Sequence, residues 1–320
     1  MTLIKQPTGE NILLAARNLK AGALIGLPTE TVYGIAADAE NESAVRRIYE
    51  AKGRPSDHPL IVHIGSIEYL EKWTKDVPEF ALTLANSFWP GPMTLILNRS
   101  EIAQDFITGS QESVAIRFPR NEIALSVLKG FHAIGGKGLA APSANKFGAV
   151  SPTDAISVQE ELGDNLNKEL DFILDGGQSE VGVESTIIDC FSTDHPKILR
   201  NGVVSQKNIE EKIGYKLIQN LSEKSLRFPG GLEKHYAPKA KVILEGTPKK
   251  GNGFIALSSV STPEGAIRLA SPRNLTEYAR VLYQALRAGD KEGLDSIFVV
   301  VPDGDGLALA IRERVTKAAR

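Results

Sequence analysis

Lys52, Arg54 and His58 fall around one turn of the chain, and His63 follows near the end of an apolar run, PLIVHI (59–64). A lysine and an arginine two residues apart in an extended turn set a point charge beside a forked guanidinium, a pairing suited to phosphate. A solvated basic turn would look the same. His58 and His63 lack the helical spacing and the third ligand of a zinc site. Arg117 stands inside the strand-like VAIRF (114–118), where an arginine needs a buried anion or else costs stability. Ser143 and Asn145 lie between Pro142 and Gly148, where they serve either as ligands or as turn formers. Thr31 suits a cap or a strand as well as a ligand shell.

Two glycine-rich strings carry no nucleotide loop. GKGLAA (136–141) fits a dinucleotide fingerprint in letters, but Pro142 follows where a helix must open. GFHAIGGKG (130–138) has the wrong spacing for a phosphate loop, and no Ser or Thr follows Lys137.

The elements that must position these residues alternate between short strands and helices. Periodicity predicts helices over 10–21, 41–52 and 78–89, the last with a proline at its first turn and WPGP (89–92) as its stop. Strands are expected at 23–29, 59–64, 93–98, 113–118, 172–177, 185–190 and 197–202. Residues 222–239 are rich in charge, Gly and Pro without period and read as a linker. Beyond it, KVILEG and FIALSS are strands, LTEYARVLYQALRAGD a helix, SIFVVVPD a strand and LALAIRERVTKAAR a helix. The pattern is an α/β or α+β chain, divided as 1–221, a linker at 222–239 and a small α/β unit at 240–320.

The chain has 320 residues, 42% hydrophobic and 24% charged, with a net charge of −2. Such a surface is no general polyanion trap, so any nucleotide or RNA site is a local cluster of positive charge. The single cysteine, Cys190, excludes an intramolecular disulfide and a cysteine-rich zinc site. The polar N-terminus lacks the apolar core of a signal peptide, and no apolar run reaches the roughly 18 residues that span a bilayer. A soluble, cytoplasmic protein is expected.

Taken together, PTETVYG (28–34), KGRPSDHPL (52–60), FWPGPMTLIL (88–97), SVAIRFPR (113–120), APSANKFGAVSPT (141–153), GVESTIID (182–189), ILRNG (198–202) and HYAP (235–238) resemble the YrdC-like family of L-threonylcarbamoyladenylate synthases. The motifs stand in the family's order over residues 10–240. GDGLALAIRERVTKAA is similar to the end of its long, two-domain form. The resemblance implies a YrdC-like twisted open mixed sheet around a concave cavity, plus a small Rossmann-like α/β domain. It implies synthesis of threonylcarbamoyl-AMP from L-threonine, bicarbonate and ATP. Magnesium would arrive with ATP, with no metal site of the protein's own and no organic cofactor. Lys52 and Arg54 would hold the ATP phosphates, with His58, Ser113, Ser143, Asn145, Ser151, Arg200 and Tyr236 also on the nucleotide. Thr31, His63, Arg117, the backbone at Ala141, and Ser185 would frame the threonine. Residues 222–239 would form a lid. A separate threonylcarbamoyl transferase would take the product to the adenosine beside the anticodon of tRNA.

Two positions depart from the family pattern: His58 replaces an asparagine, and FPGG (228–231) followed by Lys234 replaces an SPGM-type stretch. Three other readings compete. A double-stranded RNA or tRNA binder of this fold is disfavoured by the negative net charge and the lack of aromatic-basic motifs. A carbamoyl-adenylate enzyme of hydrogenase maturation would need cysteine pairs. A regulatory protein would not need the Lys, Arg and Ser positions.

Overall fold

The computed structural model describes residues 2–191, 195–217, 226–231 and 235–320. In chain order the first body contains β1 (Ile4–Lys5), α1 (Gly9–Lys20), β2 (Ile25–Leu27), β3 (Gly34–Asp38), α2 (Glu42–Lys52) and β4 (Ile61–His63). It continues with α3 (Leu70–Trp73), α4 (Glu79–Phe88), β5 (Met93–Asn98), α5 (Asp105–Thr108), β6 (Ser113–Arg117), α6 (Glu122–Ala133) and β7 (Leu139–Ala140). It ends with α7 (Ala155–Leu162), β8 (Phe172–Leu174), β9 (Thr186–Asp189), β10 (Lys197–Arg200) and α8 (Gln206–Ile213). The second body holds β11 (Lys241–Ile243), β12 (Gly253–Ile255), β13 (Ile267–Ala270), α9 (Leu275–Lys291), β14 (Ser296–Val299) and α10 (Leu307–Ala318).

Local chemistry sets most helix starts. Thr8, Asn41, Asn121, Asp154, Ser205 and Asn274 each accept a hydrogen bond from the first turn of the helix they precede, a cap worth about 1 kcal/mol. Pro78 precedes α4 as its cap residue rather than occupying its first turn. Residues 122–133 form a helix that is not among those expected from periodicity. There Asn121 caps two amides, and Ala124, Val127, Leu128 and Phe131 make a buried stripe that forms α6. The short strands β3, β7 and β13 also escape a periodicity test because they are brief or wholly buried.

The strands of the first body form one mixed sheet in the order β1-β8-β2-β3-β7-β4-β6-β5-β9-β10. Its register matters more than its size. Across neighbouring strands, Leu139 pairs with His63, His63 with Arg117, Arg117 with Thr94, Thr94 with Ile187, and Ile187 with Arg200. A single transverse row therefore carries three polar functional side chains found far apart in sequence, His63, Arg117 and Arg200. Alternation puts Ile61, Ala115, Ile96 and Ile187 on the same face, where Leu226 and Phe228 cover them. Val62, Ile116, Leu95 and Ile188 point the other way into the main core with Trp73, Leu84 and Trp89.

Asp171, just before β8, accepts hydrogen bonds from Leu24 N at 2.8 Å and Asn167 N at 2.7 Å and pairs with Arg47 of α2. One buried carboxylate thus ties β2, β8 and α2 together. The second body is an all-parallel sheet in the order β11-β14-β12-β13, with α9 and α10 packed through Tyr278, Leu282, Tyr283, Leu286, Ile311 and Val315. The two bodies meet closely at Gly182, where an added Cβ would lie 2.4 Å from Arg280 Cα. Of the expected linker, residues 222–225 and 232–234, with Lys234, lie outside the described residues.

Candidate active site

Helix α2 ends where its last residue, Lys52, meets Gly53, whose left-handed φ of 59° lets Arg54 N reach back to Tyr49 O. This is glycine's usual part in a helix C-cap. Lys52 is thus the final helical residue rather than part of an extended turn. Its ammonium is buried and donates to the carbonyls of Ser143 and Asn145. Burial, and next the charge of Arg54, push its pKa well below the ordinary lysine value. Arg54 donates to Pro59 O at 2.9 Å and lies over the Phe147 ring, and burial lowers its pKa to about 10. An anion would relieve both cations.

The sheet row supplies the floor. The buried Arg117 donates from Nη1 to Thr31 Oγ1 at 2.8 Å, and its Nη2 lies 2.7 Å from a Glu30 carboxylate oxygen. Arg117 Nε has no hydrogen-bond partner among the described residues. Thr31 is held in turn by Thr29, whose hydroxyl lies 2.9 Å from it and donates to Val32 O. His63, next to Arg117, is neutral: burial, then the arginine's charge, lower its pKa to about 3. Ser185 Oγ contacts Thr94 Oγ1 at 2.8 Å and accepts from Arg200 Nη2 at 3.0 Å.

The roof comes from the segment after the first body. Arg200 Nη1 donates to Pro229 O, and Pro229, Gly230, His235 and Tyr236 close over the row. Tyr236 adopts φ 62°, a left-handed conformation unusual for a tyrosine. Burial raises its hydroxyl pKa to about 12 and lowers that of His235 to about 3. Beneath this roof lies a cavity of about 50 Å³.

The structure gathers the expected site residues unevenly. Thr31, His63, Arg117, Ala141 and Ser185 all line the cavity, and from the nucleotide set so do Arg54, Ser143, Arg200 and Tyr236. Ser151 lies behind the wall and donates to Glu184 at 2.6 Å. Asn145 turns its amide back onto Lys146 O and Ala149 O, the geometry of a turn former. Ser113 is buried at the start of β6, and His58 sits edge-on to Phe147, partly exposed. Sequence reasoning passed over Thr29, Glu30, Glu184 and His235. Glu30 and Glu184 carried a signal, since each is an acid set among residues that read as buried. Among the described residues no cluster of His, Cys, Asp and Glu could hold a metal ion.

With Arg54, Arg117 and Arg200 on its walls, Lys52 close by and two neutral histidines, the cavity suits a ligand carrying both phosphate and carboxylate. Residues 17–202 match the family model for Sua5, YciO and YrdC, described as telomere recombination. The chain belongs to the Sua5/YciO/YrdC family. Residues 204–320 match a second model, the C-terminal domain of threonylcarbamoyl-AMP synthase. The threonylcarbamoyl-AMP synthase of Pyrococcus abyssi is 39% identical over 96% of this chain and 94% of that protein. The one from Bacillus subtilis is 39% identical over 96% and 92%. The crystal structure of P. abyssi Sua5 complexed with L-threonine superposes with a TM-score of 0.87 at 38% identity, covering 100% of this chain and 97% of that one. The mixed twisted sheet and the second, smaller sheet are those of this Sua5 fold.

Proposed function

We propose that this chain is an L-threonylcarbamoyl-AMP synthase. The observation that carries the reading is the guanidinium of Arg117. It is buried on the cavity wall, donates from Nη1 to Thr31 and lies 2.7 Å from Glu30 through Nη2, with Nε unpartnered among the described residues. A cavity-lining guanidinium of this kind suits the threonine carboxylate, since an arginine fork pairs with a carboxylate. With the threonine carboxylate there, His63, the Ala141 backbone, Thr31 and Ser185 surround the rest of the amino acid. The threonine amine adds to bicarbonate and, with loss of water, gives a carbamate. A carbamate oxygen then attacks the α-phosphorus of ATP as the bond to pyrophosphate breaks. No enzyme-bound covalent intermediate is involved. Catalysis is positioning and charge neutralisation.

Lys52 and Arg54 carry the phosphates, and Mg²⁺ enters with ATP as part of the substrate. Arg200, Ser143, Tyr236 and, around them, His58, Ser113, Asn145 and Ser151 form the nucleotide side. The cavity of about 50 Å³ is far below the roughly 300–1,000 Å³ of ligand pockets, so ATP enters when the roof lifts. The chain accordingly divides into a catalytic unit (1–221), a lid (222–239) and a unit that anchors it (240–320). Closure of the lid keeps water from the adenylate. The product passes to a threonylcarbamoyl transferase for modification of tRNA in the cytoplasm. Among the described residues no helix is long and apolar enough to cross a membrane.

The test is pyrophosphate release from ATP with Mg²⁺ and bicarbonate, with L-threonine, with L-serine and without amino acid. Release that depends on threonine and bicarbonate supports the reading. Release indifferent to the amino acid points to another acceptor. If ATP binds without release and RNA binds tightly without ATP, the protein is an RNA binder of the same fold.

A further inference from the structure

Glu184 lies on the cavity wall beside Ser185, and its two carboxylate oxygens face different bodies of the protein. Oε1 accepts from Ser151 of the first body at 2.6 Å. Oε2 accepts from the Tyr283 hydroxyl of α9 and from Arg314 Nε of α10, both at 2.9 Å. Arg314 has no exposed surface, donates from Nη1 to Asn201 O at 2.7 Å, just past the end of β10, and stacks its guanidinium 5.5 Å from the Tyr236 ring. Arg200, a first-body cation whose charge acts on Glu184, directs its hydrogen bonds elsewhere, to Ser185 and Pro229. The direct counter-charge of this wall carboxylate therefore comes from the second body. The seating that delivers it is tight, because Gly182 leaves no room for a side chain against Arg280.

A buried ion pair between two bodies can serve merely as glue. This one differs because its carboxylate also holds Ser151 and borders the cavity. We propose that Arg314, from the second body, is a positioning residue for adenylate formation: it fixes Glu184 on the cavity wall and through it sets Ser151, and the neighbouring Arg200, on the nucleotide side. The proposal rests on the synthase reading. It also gives the second body a part in the chemistry beyond anchoring a lid.

The charged and titratable groups facing Glu184 are Arg314 from α10, Tyr283 from α9, Arg200 from β10, and His235 and Tyr236 from the roof. Burial alone would raise the Glu184 pKa. The charges of Arg314 and then Arg200, with hydrogen bonds from Ser151 and Arg314, outweigh it and hold the group at about 2. Without Arg314, burial is less opposed, the pKa rises, and the carboxylate takes up a proton as pH falls. A variant lacking the arginine thus gains an acid-side loss that the parent protein does not show.

The experiment uses full-length Arg314→Met, Arg314→Lys, Glu184→Gln and the Arg314→Met/Glu184→Gln double variant. Pyrophosphate release is followed against ATP concentration between pH about 5 and about 8.5, so that a raised Glu184 pKa is read as an acid-side loss. Arg314→Met is expected to lose about tenfold or more in kcat/KM for ATP, the size of a lost charge-assisted hydrogen bond, with a larger loss at the acid end. The Kd for L-threonine stays within about twofold of the parent. Arg314→Lys recovers part of the loss, and the double variant falls no further than its worse single. The proposal is overturned if Arg314→Met turns over like the parent, or if its loss is the same at every pH and multiplies with that of Glu184→Gln. Should Arg314→Met fail to fold, Tyr283→Phe removes one hydroxyl from the same oxygen. A smaller loss in kcat/KM for ATP then supports the proposal, and no change overturns it. Absence of threonine-dependent release in the parent protein defeats the synthase reading first, and this proposal with it.

Discussion

Replacing Arg117 separates the stability of the site from its ability to hold an amino acid. Arg117 and Glu30 are 4% and 1% exposed, and their contact is 2.7 Å. Arg117→Met leaves Glu30 as a buried, uncompensated charge, which costs about 3–5 kcal/mol. At roughly 2–4 °C per kcal/mol for a domain of this size, Tm falls by about 10 °C. Arg117→Met/Glu30→Gln removes both charges and recovers most of that drop, yet neither variant has a cation for the threonine carboxylate. Arg117→Lys is the finer probe. It keeps a charge for Glu30 but cannot offer two parallel donors, and losing one charge-assisted hydrogen bond of about 1.5–3 kcal/mol weakens threonine binding by about 10- to 150-fold. Isothermal titration with L-threonine and pyrophosphate release against threonine concentration read the loss directly, while a thermal melt reads the stability. If Arg117→Lys, or the double variant, binds threonine as tightly as the parent, the carboxylate is held elsewhere and the reasoning from the cavity-lining guanidinium is wrong.

Four other perturbations test the rest of the picture. Lys52→Ala and Arg54→Ala should each lower kcat by about 10²–10³-fold while circular dichroism shows an intact fold; near-normal turnover in either removes that residue from the phosphate site. A chain ending at residue 220 lacks the roof residues Pro229, Gly230, His235 and Tyr236 as well as Arg314, and should make adenylate more slowly and release it to water; if it makes and retains product as the full chain does, the lid has no such function. His63 and His235 have folded pKa values of about 3, below the unfolded value. The folded state therefore binds fewer protons, and this stability is complete above pH ~6.5 and lost as pH falls toward 3. Urea unfolding at pH about 5 should show a deficit of up to about 2 kcal/mol per histidine, and His63→Asn should remove its share. Asp171→Ala strands the Leu24 and Asn167 amides and Arg47 and should cost about 3–5 kcal/mol in the same assay, with threonine affinity unchanged in the folded fraction.

Much of this architecture is legible in the letters, for identifiable reasons. The strands at β4, β5, β6 and β9 announce themselves because each is an apolar run closed by a polar residue, and α9 because its buried stripe recurs at helical spacing. Arg117 is conspicuous because an arginine amid Val, Ala, Ile and Phe demands an anion. The partner of that arginine is not legible: Glu30 reaches it from the connection between β2 and β3, and only the folded structure brings the two together. The same holds for Glu184 and Arg314, 130 positions apart. Arg314 sits on an amphipathic helix where an arginine normally reads as the solvated face. Helix α6 is hard to read from sequence because its start is set by one asparagine cap and its end is followed by glycines that also suit a loop.

The strand order also bears on how the chain comes off the ribosome. β1 pairs with β8, joining Ile4 to Ile173, and at about 5–20 residues per second its partner emerges roughly ten to thirty seconds later. Until then β1 is an orphan edge, and β2 lacks its neighbour on that side as well. The chain limits the hazard of mispairing by making β1 two residues long and placing Lys5 on it, the short and charged edge that discourages association with a neighbouring nascent chain. The cost of assembling the cavity-lining row from distant segments is thus met at the periphery, in a strand outside that row.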